Sequence, residues 1–253
     1  MIIPQIRVIG VTGIPEVCIG DNLAPLIFNA ARLQDTPLES DDVVVVTQKI
    51  VSKSEGSVVD LKDVEPSLLA KEFAEQYDKD PRHVEVVLRE SKRIVKMDRG
   101  VLIVETKHGF ICANAGVDAS NIPGDEKVSL LPKDPDESAH KLRLDLIALT
   151  GFPIAVIISD TFGRPWRMGS TDVAIGVAGI NPMIDYQGQT DPYGYSLRVS
   201  VAAIADQIAS AAELVAGKLD FIPVSIARGC TYFPDEKASY KTLLRDASMD
   251  LFR

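Results

Sequence analysis

Histidine, cysteine and tryptophan are scarce: three, three and one among 253 residues. Cys18, Cys112 and Cys230 lie far apart and form no C-x-x-C pair, which argues against a zinc knuckle, a redox pair or a disulfide framework. His83, His108 and His140 have no neighbouring serine or cysteine to suggest a triad. Basic charge is also in deficit, 27 Lys and Arg against 36 Asp and Glu, for a net charge of −9. Nucleic acid and anionic membrane are therefore poor partners. No apolar run approaches the ~18 residues of a membrane span, and the N-terminus has no basic region ahead of an apolar stretch. The expected compartment is the cytoplasm. The G-x-x-x-x-G-K-[ST] phosphate loop, G-x-G-x-x-G, H-E-x-x-H and G-x-S-x-G are all missing.

What is present is a hydrophobic fraction of 46%, enough for a sizeable core. Strands are expected over Ile6–Val11, 41–47, "RIVKM", "VLIVET", "PIAVIIS", "DVAIGVAG" and 222–227, with "KHG" turning into "FICAN" as a hairpin. "QKIVSKSEG" reads as a continuation of the 41–47 strand. Helices are expected over 22–33 with Asp21 as cap, 66–78, 80–90 opened by Asp80-Pro81, 136–150 and 200–216. In the fourth, Leu142, Leu146, Ile147 and Leu149 mark the inner side; residues 114–135 read as loop. Strands and helices mix irregularly, which predicts an α+β fold with mixed sheets in a single domain spanning 1–253.

Two apolar strands run into polar loops. "FICANAGVDASNIPGD" gathers Asn114, Asp118, Ser120, Asn121 and Asp125 among glycines, and "VIISDTFGRPWRMGS" places Asp160 and Thr161 at a strand end. Carboxylate and hydroxyl oxygens are ligands for Mg²⁺ or Mn²⁺. The same residues are also ordinary turn formers. Arg164, Arg167 and the flanking glycines suit an anion, while the lone Trp166 is expected to plug the adjoining core. Lys49 and Lys53, with Gln48 beside them, either reach phosphates or sit solvated on an edge strand. "TGIPEV" either wraps a base or ribose or is a turn, and "AGKLDFIP" reads as helix capping.

Together, "ISDTFGRPWRMGSTDVAIGVAGI", "CANAGVDASN", "VTQKIVSKSEG", "GIPEV", "DYQGQTDPYGYSLRVSV" and "ADQIASAAELVAGKLDFIPVSIARG" resemble the coenzyme F420-0:L-glutamate ligase family, F420 being a deazaflavin cofactor. The resemblance covers roughly residues 6 to 230. It implies two intertwined subdomains, a homodimer, and a GTP-dependent ligase that joins L-glutamate to F420-0 through an acyl phosphate. Further γ-linked glutamates would give F420-1, F420-2 or longer products. It implies two divalent ions, Mg²⁺ or Mn²⁺, with K⁺ as a further candidate. Asp118, Asp160 and Thr161 match the family's metal ligands. Ile14, Pro15, Glu16, Val17, Gln48, Lys49, Lys53 and Asn121 match its GTP contacts, and Ala216, Gly217, Lys218, Leu219, Asp220 and Phe221 its closing loop. Asp118, Asp160, Arg164 and Lys53 are the expected catalytic residues. One departure stands out: some archaeal members carry an acidic metal ligand where this chain has Lys218, so that Asp220 substitutes, water completes the shell, or this branch binds its metals differently. A nucleotide- or deazaflavin-binding protein without turnover, and an amide ligase with another acid acceptor, are the alternatives.

Overall fold

The computed structural model describes residues 3–251 except 121–123 and 125. The chain opens with β1 (Arg7–Val11), α1 (Leu23–Leu33), β2 (Val43–Thr47) and α2 (Gln48–Glu55). A second group follows: β3 (Val58–Asp60), α3 (Leu68–Tyr77), α4 (Pro81–Arg89), β4 (Ser91–Asp98), β5 (Val101–Thr106), β6 (Ile111–Ala113) and β7 (Lys127–Ser129). Next come α5 (Pro135–Thr150), β8 (Ala155–Gly163), β9 (Ser170–Ala178), β10 (Ile184–Asp185), β11 (Val201–Ala202), α6 (Ile204–Ala216) and β12 (Val224–Arg228).

The central sheet has the order β1-β12-β2-β8-β9. Only β2 and β8 run parallel; the other three pairings are antiparallel. The fold is thus α+β with mixed and antiparallel sheets. Side-chain alternation divides the sheet's apolar residues between two faces. Val44, Val46, Val156, Ile158 and Ile226 pack with Ile27 of α1 and Leu146 of α5. Val43, Val45, Ala155 and Ile157 pack with Ala205, Ile208, Ala209 and Ala212 of α6. A strand buried on both faces needs an unbroken apolar run, and "VVVV" and "AVII" supply it. The β4-β5-β6 sheet, α3 and α4 enclose a separate core around Phe73, Val87, Leu102 and Val104.

Several sequence expectations need correcting. "QKIVSKSE" is not strand but helix α2, ended by Gly56 at φ 73° with the Ser57 N–H donating to Ser52 C=O at 2.8 Å. Polar pairs at 48–49 and 52–53 around buried Ile50 and Val51 fit a helical turn better than a period of two. Asn22, not Asp21, caps α1, its Oδ1 accepting from Ala24 N–H at 3.1 Å; Asp21 accepts from Cys18 N–H instead. The last long helix starts at Ile204, because Val201–Ala202 pairs with Ile184–Asp185. Leu149 faces outward. Trp166 plugs no core: it is 79% exposed at the β8–β9 hairpin tip.

Candidate functional site

Parallel pairing sets the C-terminal end of β2 beside the middle of β8: Thr47 is the register partner of Ser159. The chain enters α2 on one side and continues to Asp160 and Thr161 on the other. Side chains at that edge converge without further loop design. They line a cavity of about 950 Å³.

Lys49 and Lys53 lie one helical turn apart on α2, and both border the cavity. Lys49 Nζ is ion-paired with Asp118 and also donates to the Ser120 carbonyl at 2.7 Å and hydroxyl at 3.0 Å. Lys53 Nζ meets Glu16 Oε1 at 2.6 Å, joining α2 to the segment Ile14, Pro15, Glu16 and Val17 on the cavity wall. Gln48 also lines the wall, its Oε1 accepting from Ser52 Oγ at 2.9 Å.

Asp118 is set by backbone. Asn114 and Ala115 take φ of 53° and 55°, and Gly116 takes 69°, a left-handed turn that two non-glycine residues adopt at some cost. Beyond it, Asp118 N–H donates to Ser129 C=O at 3.1 Å and Ser129 N–H returns to Asp118 C=O at 2.8 Å. Burial pushes the Asp118 carboxyl up, but Lys49 and the Ser120 N–H and hydroxyl outweigh it, leaving it below the usual range.

Asp160 has the opposite balance. Burial pushes its carboxyl from 3.8 to about 7, the Thr161 N–H and Lys49 opposing and the negative Asp172 and Asp118 adding. Cys112 is buried near Asp160, and burial pushes its thiol up to about 12, so it stays protonated and is no nucleophile. None of the three histidines lines the cavity.

Thr161 follows Asp160 on β8 and faces the other way. Its hydroxyl donates to Asp172 Oδ1 at 2.6 Å and accepts from Lys218 Nζ at 2.6 Å. Asp172, opposite it on β9, also accepts from Ser159 Oγ at 3.0 Å, and its N–H donates to Glu213 Oε2 of α6 at 2.9 Å. Ala216, Gly217, Lys218 and Phe221 continue the cavity wall, whereas Leu219 and Asp220 do not border it. A Cβ on Gly217 would lie 2.2 Å from Asp220 Oδ2, so the exposed Asp220 carboxylate lies against Gly217 and not on the cavity wall. Arg164 does not border the cavity either: its guanidinium donates to the Gly169 and Met168 carbonyls at 3.2 and 2.7 Å. Asn121 lies outside the described residues.

Sequence reasoning missed Asp172 and Glu213. The signal for Asp172 was a carboxylate at the start of an apolar strand that pairs with the Asp160–Thr161 strand. Glu213 gave none, since it falls on what looks like the solvent face of a helix.

Asp118 and Asp160 offer only hard oxygen donors, the set that Mg²⁺ or Mn²⁺ takes, while Thr161 faces away from Asp160 with its hydroxyl held between Asp172 and Lys218. A carboxyl that burial, with neighbouring negative charge adding, pushes up toward neutrality is the environment that a divalent cation relieves, so the two aspartates fit such an ion. Among the described residues no three carboxylate, histidine or cysteine groups are already drawn together for one. Hydroxyl, water or phosphate oxygen would complete the shell. Lysines, carboxylates and a glycine turn around one cavity, with no cysteine or histidine among the described lining residues, suit the neutralisation and alignment of phosphate and carboxylate groups.

The F420-0:Gamma-glutamyl ligase family model matches residues 12–229. The chain belongs to the F420-0:Gamma-glutamyl ligase family. Among its relatives, the coenzyme F420:L-glutamate ligase of Methanothermobacter thermautotrophicus is 44% identical over 98% of this chain and 99% of its own. The ligase of the same name from Methanocaldococcus jannaschii is 45% identical over 86% of each chain. That of Methanopyrus kandleri is 42% identical over 99% of each. The span matched by the family runs from the Ile14–Val17 segment through both aspartates to the Gly217 loop, so every described wall of the cavity lies within it.

Proposed function

We propose that this family member is a GTP-dependent ligase that joins L-glutamate to coenzyme F420-0 and extends the product with further γ-linked glutamates. The observation that carries this is the meeting of Asp118 and Asp160 with Lys49 and Lys53 around one cavity of about 950 Å³, large enough for a nucleoside triphosphate. The relatives' shared name supplies the acceptor and the amino acid.

In the proposed reaction a carboxylate oxygen of F420-0 attacks the γ-phosphorus of GTP, and the bond to the β-phosphate oxygen breaks, releasing GDP. The glutamate amine, having lost a proton, then attacks the acyl carbon, and inorganic phosphate leaves as the amide forms. Lys49 and Lys53 exchange their carboxylate partners for phosphate oxygens and spread the transferring charge. Ile14–Val17 border the nucleotide, and the Gly217–Phe221 turn closes on it. Asp118 and Asp160 would hold Mg²⁺ or Mn²⁺, which when bound would draw charge from the phosphates.

Exposed large side chains at Trp166, Met168, Tyr193 and Val199 are apolar area that a second copy of the chain would cover in a homodimer.

Isotope transfer tests the chemistry. F420-0 labelled with ¹⁸O in its carboxylate, incubated with GTP, glutamate and Mn²⁺, should pass one label into the released phosphate. Unlabelled phosphate alongside glutamylated product would rule out the acyl phosphate.

A further inference from the structure

We propose that the Lys218 ammonium is a built-in cation, filling an oxygen-lined cation site made by Thr161, Asp172 and Glu213 beside the Asp118–Asp160 pair. Strand alternation sends Thr161 to the face opposite Asp160, and there it meets carboxylates from β9 and α6. Lys218 Nζ stands 2.6 Å from Thr161 Oγ1, 3.0 Å from Glu213 Oε1 and 3.9 Å from Asp172 Oδ1. An ammonium group has three donors and no acceptor, and each of its neighbours here presents an acceptor oxygen.

The oxygens are held in place without the lysine. Asp172 is buried and fixed by the Ser159 and Thr161 hydroxyls, and its own N–H holds Glu213 beside it. Two carboxylates and a hydroxyl in a fixed array are the donor chemistry of a hard metal cation. Lys218 is brought there by the turn at Gly217, whose φ of 60° and ψ of −167° belong to a region open essentially to glycine alone. The lysine therefore offsets one of the array's two carboxylate charges whatever the ion concentration, and its contacts tie the loop after α6 to Thr161 of β8 and Asp172 of β9. Removing its charge while keeping its length should leave a vacancy that a metal ion enters. The proposal rests on the cation reading of Asp118 and Asp160 only for its internal control.

The test is Mn²⁺ uptake by the full chain, read from the electron paramagnetic resonance signal of free Mn²⁺. Lys218→Met should take up one more Mn²⁺ per chain than wild type, and Lys218→Met with Glu213→Gln should lose that gain. The side chain of Lys218 is 58% exposed, so the fold should tolerate the change, and circular dichroism checks it. Equal stoichiometry in wild type and Lys218→Met, or a gain that survives Glu213→Gln, would overturn the proposal. Failure of Asp118→Asn and Asp160→Asn to reduce uptake by wild type would count against the neighbouring site instead, leaving the Lys218 comparison readable.

Discussion

Asp160→Asn should make the metal-free protein more stable, and more so at high pH. Burial holds the Asp160 carboxyl at about 7 in the folded chain, against 3.8 as its ordinary value. The folded state thus keeps a proton that the unfolded state has already released between those values. Stability falls as pH rises from about 4 to about 7, and the full cost, about 4 kcal/mol, remains above that window. At pH 5 the cost is about 1.7 kcal/mol. Asparagine removes the charge at similar volume, so in EDTA at pH 8 the variant should melt about 6 °C or more above wild type, and the gap should narrow by more than half at pH 5. Adding Mn²⁺ should raise the wild-type melting temperature and leave the variant nearly unmoved. A variant no more stable than wild type at pH 8, or a gap independent of pH, would refute this account of Asp160.

Lys49→Met should lower kcat roughly 10²-fold, because a charge aimed at the transferring group is lost, and pre-steady-state phosphate release would show it. Gly217→Ala should raise KM for GTP roughly 5- to 150-fold through strain on the order of 1–3 kcal/mol in the closing turn, measured by nucleotide titration. Gly176→Ala should destabilise the fold by about 3 kcal/mol in urea unfolding, since its new Cβ would sit 2.4 Å from the Pro135 carbonyl where α5 meets β9.

The β-branched runs "VVVVT" and "AVIIS" announced the two parallel strands, because a strand buried on both faces has little other composition open to it. Asp80-Pro81 announced a helix start through capping geometry, and Asp80 Oδ1 does accept from Arg82 N–H at 2.8 Å. Local pattern failed where packing decides. "QKIVSKSE" contains two apolar residues, too few to separate a helix turn from a strand, and only the buried Ile50 and Val51 settle it. Trp166 and Arg164 sit on a hairpin tip whose reach depends on the length of the β8–β9 ladder, which composition does not encode. At the site, Asp118 and Asp160 were legible because each follows apolar residues in the sequence, although β8 does not end there as expected but continues through Asp160 and Thr161 to Gly163. Asp172 and Glu213 acquire a role only from the strand pairing and helix packing that place them beside Thr161. The fate of Lys218 was likewise invisible, since it depends on the backbone turn at Gly217 and on carboxylates far away in sequence.

The most direct test of the central claim is mass spectrometry of F420-0 incubated with the purified chain, L-glutamate, GTP and Mg²⁺ or Mn²⁺. The account predicts a mass gain of one or more glutamyl residues with matching GDP, lost in Asp118→Asn and Asp160→Asn. No mass gain with either metal, or a gain undiminished in both variants, would contradict it.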